Sequence, residues 1–336
     1  MIALINSLAV VGFYLAVRRF YGQFVGATAG LLMAFSPWMI VMSRKIWAPD
    51  MVLPLAVLWF YFLHQLILDK KPKAILGIIV TLGLLTQLHT SGLFLVLPSA
   101  IAIIATRVKI NWKYVLIGLA LSIVPILPYV AFQLQNGCPD CQAFFTYQKG
   151  EALTAIPFFD TNAFLRPFQF INGSGFQNVL GEDGYRDFLD QYPWLGLFNI
   201  IFLLEFGLFV LGLVFLIPRS RIVLAILIGV PLLIFISRTP AHLYYFLIVS
   251  PISILAYALG TVPLGKLLHL EGVRAHLPGV IVIATIISVN IIFMLMFYQF
   301  LDKRGQIQGD YGSIYRVTEQ KAVEKGMNVE EYVIEE

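Results

Sequence analysis

The chain has 336 residues, of which 59% are hydrophobic and only 12% carry charged side chains. Soluble domains carry about 25% charged residues, so this composition excludes a soluble globular protein and predicts a membrane protein with many spans. The net charge of +4 is small and does not favour a nucleic-acid partner.

Successive apolar segments predict an all-α fold, a polytopic membrane helical bundle of about ten transmembrane segments. The segments cover roughly residues 2–17, 24–42, 51–68, 75–88, 92–106, 114–134, 194–217, 222–237, 242–262 and 279–301. The fourth and fifth are short, which is typical of a hairpin that does not cross the whole bilayer. Four parts result: N-terminal helices (1–134), an extracytoplasmic cap loop (135–193), C-terminal helices (194–301) and an extracytoplasmic tail (302–336).

The charges between the segments predict the orientation of the bundle. One set of links holds 12 of the 23 Lys and Arg residues, at 18–19, 69–73, 107–113, 219–221 and 266–274. The opposite short links, at 43–50, 89–91 and 238–241, contain only Arg44, Lys45 and Arg238. By the positive-inside rule the first set is cytoplasmic, so the short links, the cap loop and the tail are predicted to face outward.

The first span begins almost at Met1, without a cytoplasmic head and without a signal-peptide cleavage site. Two interpretations fit this start. The chain is an unusual protein with its N-terminus outside, or a further helix and loop precede Met1. The pattern favours the second interpretation.

The cap loop is rich in aromatic residues, and this argues against disorder. We expect a folded cap on the outer membrane face with short helices, for example from Gly184 to Gln191. Cys138 and Cys141 in the loop predict either a small disulfide or two free thiols. Asn172 begins an N-glycosylation pattern, although such matches are common by chance.

The outward links supply the candidate site. Asp50 directly precedes a span, a position that suits both a helix N-cap and a functional carboxylate. Arg44 and Lys45 beside it suit a phosphate or pyrophosphate, such as a lipid-phosphate head group. Trp47 in the same link fits an interfacial anchor.

The other two outward links also carry imidazoles, a cation and aromatic rings. These residues are His89, Arg238, His242, Tyr244 and Tyr245. Glu205 lies inside an apolar segment, where a protonated, hydrogen-bonded acid and a proton relay are both consistent with the sequence. The chain has no P-loop, no dinucleotide fingerprint and no H-E-x-x-H motif, so no nucleotide cofactor is expected.

Several of these stretches resemble the polytopic GT-C glycosyltransferases, in particular bacterial relatives of the protein mannosyltransferases and the lipid A aminoarabinose transferases. They are Ala34-Phe35-Ser36-Pro37-Trp38 with Ser43-Arg44 and Asp50, Gly83 to His89, His242 to Tyr245, and Gly309-Asp310-Tyr311-Gly312. The resemblance implies transfer of a sugar from a polyprenyl-phosphate donor to a lipid, glycan or protein acceptor. The reaction would occur on the outer face of a bacterial or archaeal plasma membrane.

The resemblance also implies roles for the candidate residues. Asp50 matches a catalytic acid that directly precedes a span. Arg44, Lys45, His89, Arg238, His242, Tyr244 and Tyr245 would bind substrate. A divalent metal remains open, and no metal ligand is assigned. The leading acid of the family lies in an earlier outer loop that this chain lacks, so a truncated, inactive copy is also a consistent interpretation.

Three other functions remain as alternatives. A transporter or flippase for lipid-linked sugars would show inverted repeats and broken helices around a polar site at the midplane. A polysaccharide polymerase or ligase would depend on Arg and His in large outer loops, where Arg166 and Arg186 lie. A non-catalytic membrane scaffold would fit a truncated chain.

Overall fold

The computed structural model describes residues 1–44, 48–142, 160–304 and 315–327, and within these ranges the secondary structure is entirely helical. The α-helices are α1 (Ile2–Tyr21), α2 (Gln23–Ala34), α3 (Pro37–Met42), α4 (Val52–Ile67), α5 (Ala74–Leu88), α6 (Leu93–Ala105), α7 (Trp112–Ile123), α8 (Leu127–Gln135), α9 (Gln177–Leu180), α10 (Glu182–Gln191), α11 (Phe198–Arg219), α12 (Arg221–Ile236), α13 (Ser250–Gly260), α14 (Leu264–Leu267), α15 (Leu277–Arg304) and α16 (Tyr315–Glu324). Short 3-10 turns span Ala48–Met51, Thr90–Gly92, Val124–Ile126, Thr161–Phe164, Arg166–Ile171, Pro193–Leu197, Leu243–Val249 and Gly272–His276. The predicted helical class is confirmed.

Six helical stretches in the described part of the chain are long and apolar enough to cross a membrane. They are Ile2–Tyr21, Ala48–Ile67, Trp112–Gln135, Pro193–Arg219, Leu243–Leu267 and Gly272–Arg304. The shorter apolar helices are Gln23–Ala34, Ala74–Leu88, Thr90–Ala105 and Arg221–Ile236. The chain is therefore an integral membrane protein, while a full set of ten spans stays a prediction.

The links predicted to be cytoplasmic meet at one end of the bundle, which we call the basic end. Arg19 pairs with Asp69 at 2.7 Å, and this contact joins the α1–α2 link to the α4–α5 link. The rings of Phe24 and His276 stack with centroids 4.3 Å apart and so join α2 to the turn before α15. Close packing of α1 and α2 depends on Gly26, because a Cβ there would lie 2.7 Å from the Cβ of Arg18.

The links predicted to face outward meet at the opposite end, which we call the site end. There the indole of Trp38 donates to the Ser174 carbonyl at 3.1 Å. Arg304 of α15 pairs with Asp187 of α10. Cys138 and Cys141, after α8, form a disulfide. The two sets of links thus lie at opposite ends of the bundle, and the membrane side of each end stays a prediction.

Part of the cap loop packs against the helices and buries many of its side chains, although residues 161–162, 164–165 and 177 are exposed. We call residues 160–180 the inserted segment. Four of its backbone carbonyls accept hydrogen bonds from helix side chains. The pairs are Tyr257 to Phe168 at 2.5 Å, Ser36 to Phe170, Asn290 to Ile171 at 2.6 Å and Trp38 to Ser174 at 3.1 Å. Buried backbone carbonyls need hydrogen-bond donors, and these helix side chains supply a donor to each of the four.

Glu205 of α11 also holds the inserted segment. Its carboxylate accepts a hydrogen bond from Asn172 Nδ2 at 2.6 Å, and both side chains are fully buried. The match to the glycosylation pattern therefore begins at a buried side chain. The expected cap helix near Gly184 is present as α10, while residues 143–159 of the loop lie outside the described residues.

Candidate active site

Asp50 occupies the 3-10 turn Ala48–Met51, which leads into α4. Its side chain is 1% exposed. Asn6 of α1 donates from Nδ2 to the Asp50 carbonyl oxygen at 3.0 Å, and the turn also packs against α5. The N-cap position of α4 is Met51. Asp50 is thus a buried acid held between three helices at the site end.

A cavity of about 200 Å³ lies beside this turn, between α1, the α2–α3 break and the start of α4. Its wall includes Asn6, Ser7, Met39, Ser43 and Leu53. Polar groups of α1 and the α3 end therefore face a space next to the Asp50 turn.

Arg44 comes directly after Ser43, a residue of the cavity wall, and its side chain is exposed. Its guanidinium carbon lies 4.7 Å from the centre of the Tyr298 ring of α15. A guanidinium over an aromatic face is held by cation–π attraction while its edge donors stay accessible. Arg44 thus presents donors at the site end from a fixed position.

His89 and the link before α13 form an imidazole–tyrosine cluster, consisting of His89, His242, Tyr244 and Tyr245. The ring centroids of His89 lie 5.6 Å from Tyr244 and 5.1 Å from Tyr245. His242 stacks on Tyr244 at 5.2 Å, and the two tyrosines are 4.7 Å apart. All four rings are half-buried, so each keeps part of its surface accessible.

His89 has a defined tautomer in this cluster. The backbone N–H of Ser91 donates to His89 Nδ1 at 3.2 Å, so Nδ1 is unprotonated and the proton of the neutral ring is on Nε2. Burial lowers the pKa of the His89 imidazole and favours this neutral form. His89 therefore offers an Nε2–H donor while its Nδ1 holds the turn Thr90–Gly92.

Two charged side chains of the inserted segment fix the residue before His242. Asp160 accepts from the Ala241 N–H at 2.9 Å, and Arg166 Nε donates to the Ala241 carbonyl at 2.6 Å. Burial raises the pKa of the Asp160 carboxyl, but hydrogen bonds from Ala241 and Asn162 and the charge of Arg166 outweigh it and hold the pKa below its usual value. Both backbone groups of Ala241 are thus anchored.

The structure brings some candidate residues together and places others apart. His89, His242, Tyr244 and Tyr245 form one cluster, and the Asp50 turn packs against α5, the helix that ends at His89. Arg238 is exposed at the end of α12, where its φ is 56°. Lys45, Trp47 and the stretch Gly309–Gly312 lie outside the described residues.

Sequence reasoning missed Asn6, and it noted Arg166 only for the polymerase alternative. Asn6 is a buried amide inside an apolar helix, a signal that was visible in the sequence. The anchoring of Ala241 by Asp160 and Arg166 left no such signal, because these residues lie far from Ala241 in the chain. Among the described residues, no three His, Cys, Asp or Glu side chains gather in a way that could hold a metal ion.

Residues 1–132 match the family described as dolichyl-phosphate-mannose-protein mannosyltransferase. This region contains Asp50 and His89 but not His242 or the two tyrosines. No curated protein matches, and no solved structure matches. The family match confirms the resemblance to GT-C mannosyltransferases and indicates a membrane glycosyltransferase.

Proposed function

We propose that this membrane protein, similar over its first 132 residues to the mannosyltransferase family, moves a sugar from a polyprenyl-phosphate donor to an acceptor at the site end of the bundle. The observation that carries the proposal is a buried acid whose turn packs against α5, the helix that leads into His89 and its imidazole–tyrosine cluster. The charge distribution of the links supports an outward-facing site. A lipid-phosphate donor needs no nucleotide pocket.

The reaction is an inverting displacement at the anomeric carbon. The acceptor hydroxyl oxygen forms the new bond, and the bond from the anomeric carbon to the donor phosphate oxygen breaks. Asp50 takes the hydroxyl proton as general base, and the electron pair leaves on polyprenyl phosphate. Arg44, held over Tyr298, stabilises the negative charge on the leaving phosphate.

The imidazole–tyrosine cluster binds the sugar in this proposal. The rings of Tyr244 and Tyr245 meet at 83°, so they offer two differently oriented aromatic faces to a pyranose. His89 donates from Nε2 to a sugar hydroxyl or phosphate oxygen. Asp160 and Arg166 keep His242 and the tyrosines in position through Ala241.

Asp50→Asn tests the proposal. We expect transfer from labelled polyprenyl-phosphate hexoses and pentoses, tested as a panel in membranes that contain the full chain, to fall about 10²-fold or more, because a general base is removed. Asp69→Asn is the matched control, since Asp69 pairs with Arg19 at the basic end and should leave transfer unchanged.

Two outcomes would overturn the assignment. Unchanged transfer by Asp50→Asn at equal expression would mean that Asp50 is not the general base. If the unaltered chain turns over none of the donors in the panel, the proposed transferase function is wrong.

A further inference from the structure

The basic end of the bundle contains a cleft that the proposed reaction does not use. It has a volume of about 680 Å³ and lies where the α4–α5 link meets the α6–α7 link. Three lysines line it, Lys73, Lys109 and Lys113, together with Trp112 and Tyr114. The cleft lies at the opposite end of the bundle from Asp50.

The positive charge of this cleft is not neutralised by nearby acids. In the described part of the chain, no carboxylate lies within 4.0 Å of Lys73, Lys109 or Lys113. Asp69, in the same link as Lys73, is already engaged by Arg19 at 2.7 Å and Lys71 at 3.5 Å. Three cations therefore share one cleft, and none of them forms an ion pair with a described residue.

The lysines also occupy positions where a cation is electrostatically unfavourable. Lys73 is the N-cap residue of α5, and Lys113 lies in the first turn of α7. Neither helix has an acidic residue in its first turn. Cations stabilise helix C-termini and oppose the dipole at N-termini, so a bound anion would relieve this repulsion.

The aromatic residues place the cleft at the membrane boundary. Trp112 is 68% exposed and begins a span, Trp112–Gln135, of which only 11% is buried inside the protein. Exposed tryptophans at the ends of spans sit at the level of lipid head groups. The positive-inside rule accounts for lysines in these links, but it does not account for their convergence with Trp112 on one cleft.

We propose that this cleft binds the phosphate head group of an anionic phospholipid from the leaflet at the basic end. The three ammonium groups surround the phosphate, while Trp112 and Tyr114 lie beside the upper part of the lipid. Basic pockets between helices on the cytoplasmic side recognise anionic head groups in this way. The site is independent of the proposed transfer reaction.

The test uses the purified full chain in detergent and native mass spectrometry with dioleoyl phosphatidylglycerol or dioleoyl phosphatidylcholine. We expect retention of phosphatidylglycerol in preference to phosphatidylcholine. The triple variant Lys73→Gln, Lys109→Gln, Lys113→Gln should retain phosphatidylglycerol roughly 100-fold more weakly, since each lysine near an anionic lipid contributes about a fivefold factor.

A second triple variant, Lys266→Gln, Arg274→Gln, Lys303→Gln, removes the same number of positive charges elsewhere and should retain the lipid normally. All three lysines of the cleft are exposed, so their replacement should leave the fold intact, which near-unchanged thermal unfolding would verify. Equal loss in both triple variants would overturn the site in favour of a general charge effect. If inorganic phosphate at the same concentration as the lipid displaces phosphatidylglycerol, the lipid assignment is wrong. If phosphatidylglycerol and phosphatidylcholine are retained equally, the cleft does not recognise the negative charge of the head group.

Discussion

His89 holds a turn and contacts the aromatic cluster through the same ring at the site end. Its Nδ1 accepts from the Ser91 backbone, while its ring contacts Tyr244 and Tyr245. Only the neutral ring can accept at Nδ1. Protonation would therefore disrupt the turn and the cluster together.

His89→Asn separates these two roles. The asparagine oxygen can still accept from the Ser91 N–H, so stability at pH 7.5 should fall by no more than about 1 kcal/mol. Because burial lowers the folded-state pKa of His89, its stabilising contribution is present above about pH 6.5 and is lost as the pH falls through the folded-state pKa. We expect thermal unfolding from pH 7.5 to 5 to show a smaller decrease for His89→Asn than for the unaltered chain. An equal decrease would show that His89 does not titrate in this way.

Charged side chains can position a site without touching the substrate. Asp160 and Arg166 bind the N–H and the carbonyl of Ala241, directly before His242. Sequence reasoning found His242 and its tyrosines because they cluster along the chain. It missed their anchors because those residues lie in a different segment, and only folding brings them together.

The inserted segment contacts helices from both the N-terminal and the C-terminal part of the bundle. It contacts α3, α13 and α15 through hydrogen bonds to its own carbonyls. Gly173 lies at its tightest point, because a Cβ there would lie 2.4 Å from the Phe293 ring of α15. A side chain at this position cannot fit without displacing the Phe293 ring, the segment or the helix.

Gly173→Ala should therefore destabilise the protein by about 1–3 kcal/mol, as overpacking of a well-packed core does. Thermal unfolding in detergent measures the loss. Gly196→Ala is the matched control, since nothing lies within 4 Å of a Cβ at Gly196. Equal unfolding temperatures for the two variants would mean that the segment does not pack against Phe293 as described.

Glu205 also helps to hold the inserted segment in place. Its carboxylate binds Asn172, and its burial is complete. Of the two interpretations that the sequence allowed, the contact with Asn172 supports a hydrogen-bonded acid that faces the bundle. This hydrogen bond satisfies one carboxyl oxygen of Glu205, while the other, Oε1, is buried without a hydrogen-bond partner among the described residues.

At the scale of the whole molecule, the chain separates into a basic end and a site end. The proposed transfer site and the proposed lipid cleft lie at opposite ends. The two proposals therefore predict binding events in different leaflets, and the orientation of the bundle decides which of these leaflets is the outer one.

Cysteine labelling tests that orientation. In a background with Cys138→Ser and Cys141→Ser, we expect a membrane-impermeant maleimide to label a Thr90→Cys variant in intact cells. A Lys70→Cys variant should react only after the cells are made permeable. Both original side chains are exposed, so accessibility depends only on the membrane side. The reverse labelling pattern would place the site on the cytoplasmic side.

The sequence by itself determined the helical class, the positions of the apolar segments and the division of the links into two sets. It could do so because helix formation and bilayer insertion depend on local runs of apolar residues and on the charges that flank them. Tertiary structure alone decided the insertion of residues 160–180, the burial of Asn172 and the meeting of His89 with Tyr244. These contacts join residues far apart in the chain, and neither periodicity nor composition records which distant side chain will satisfy a buried polar group.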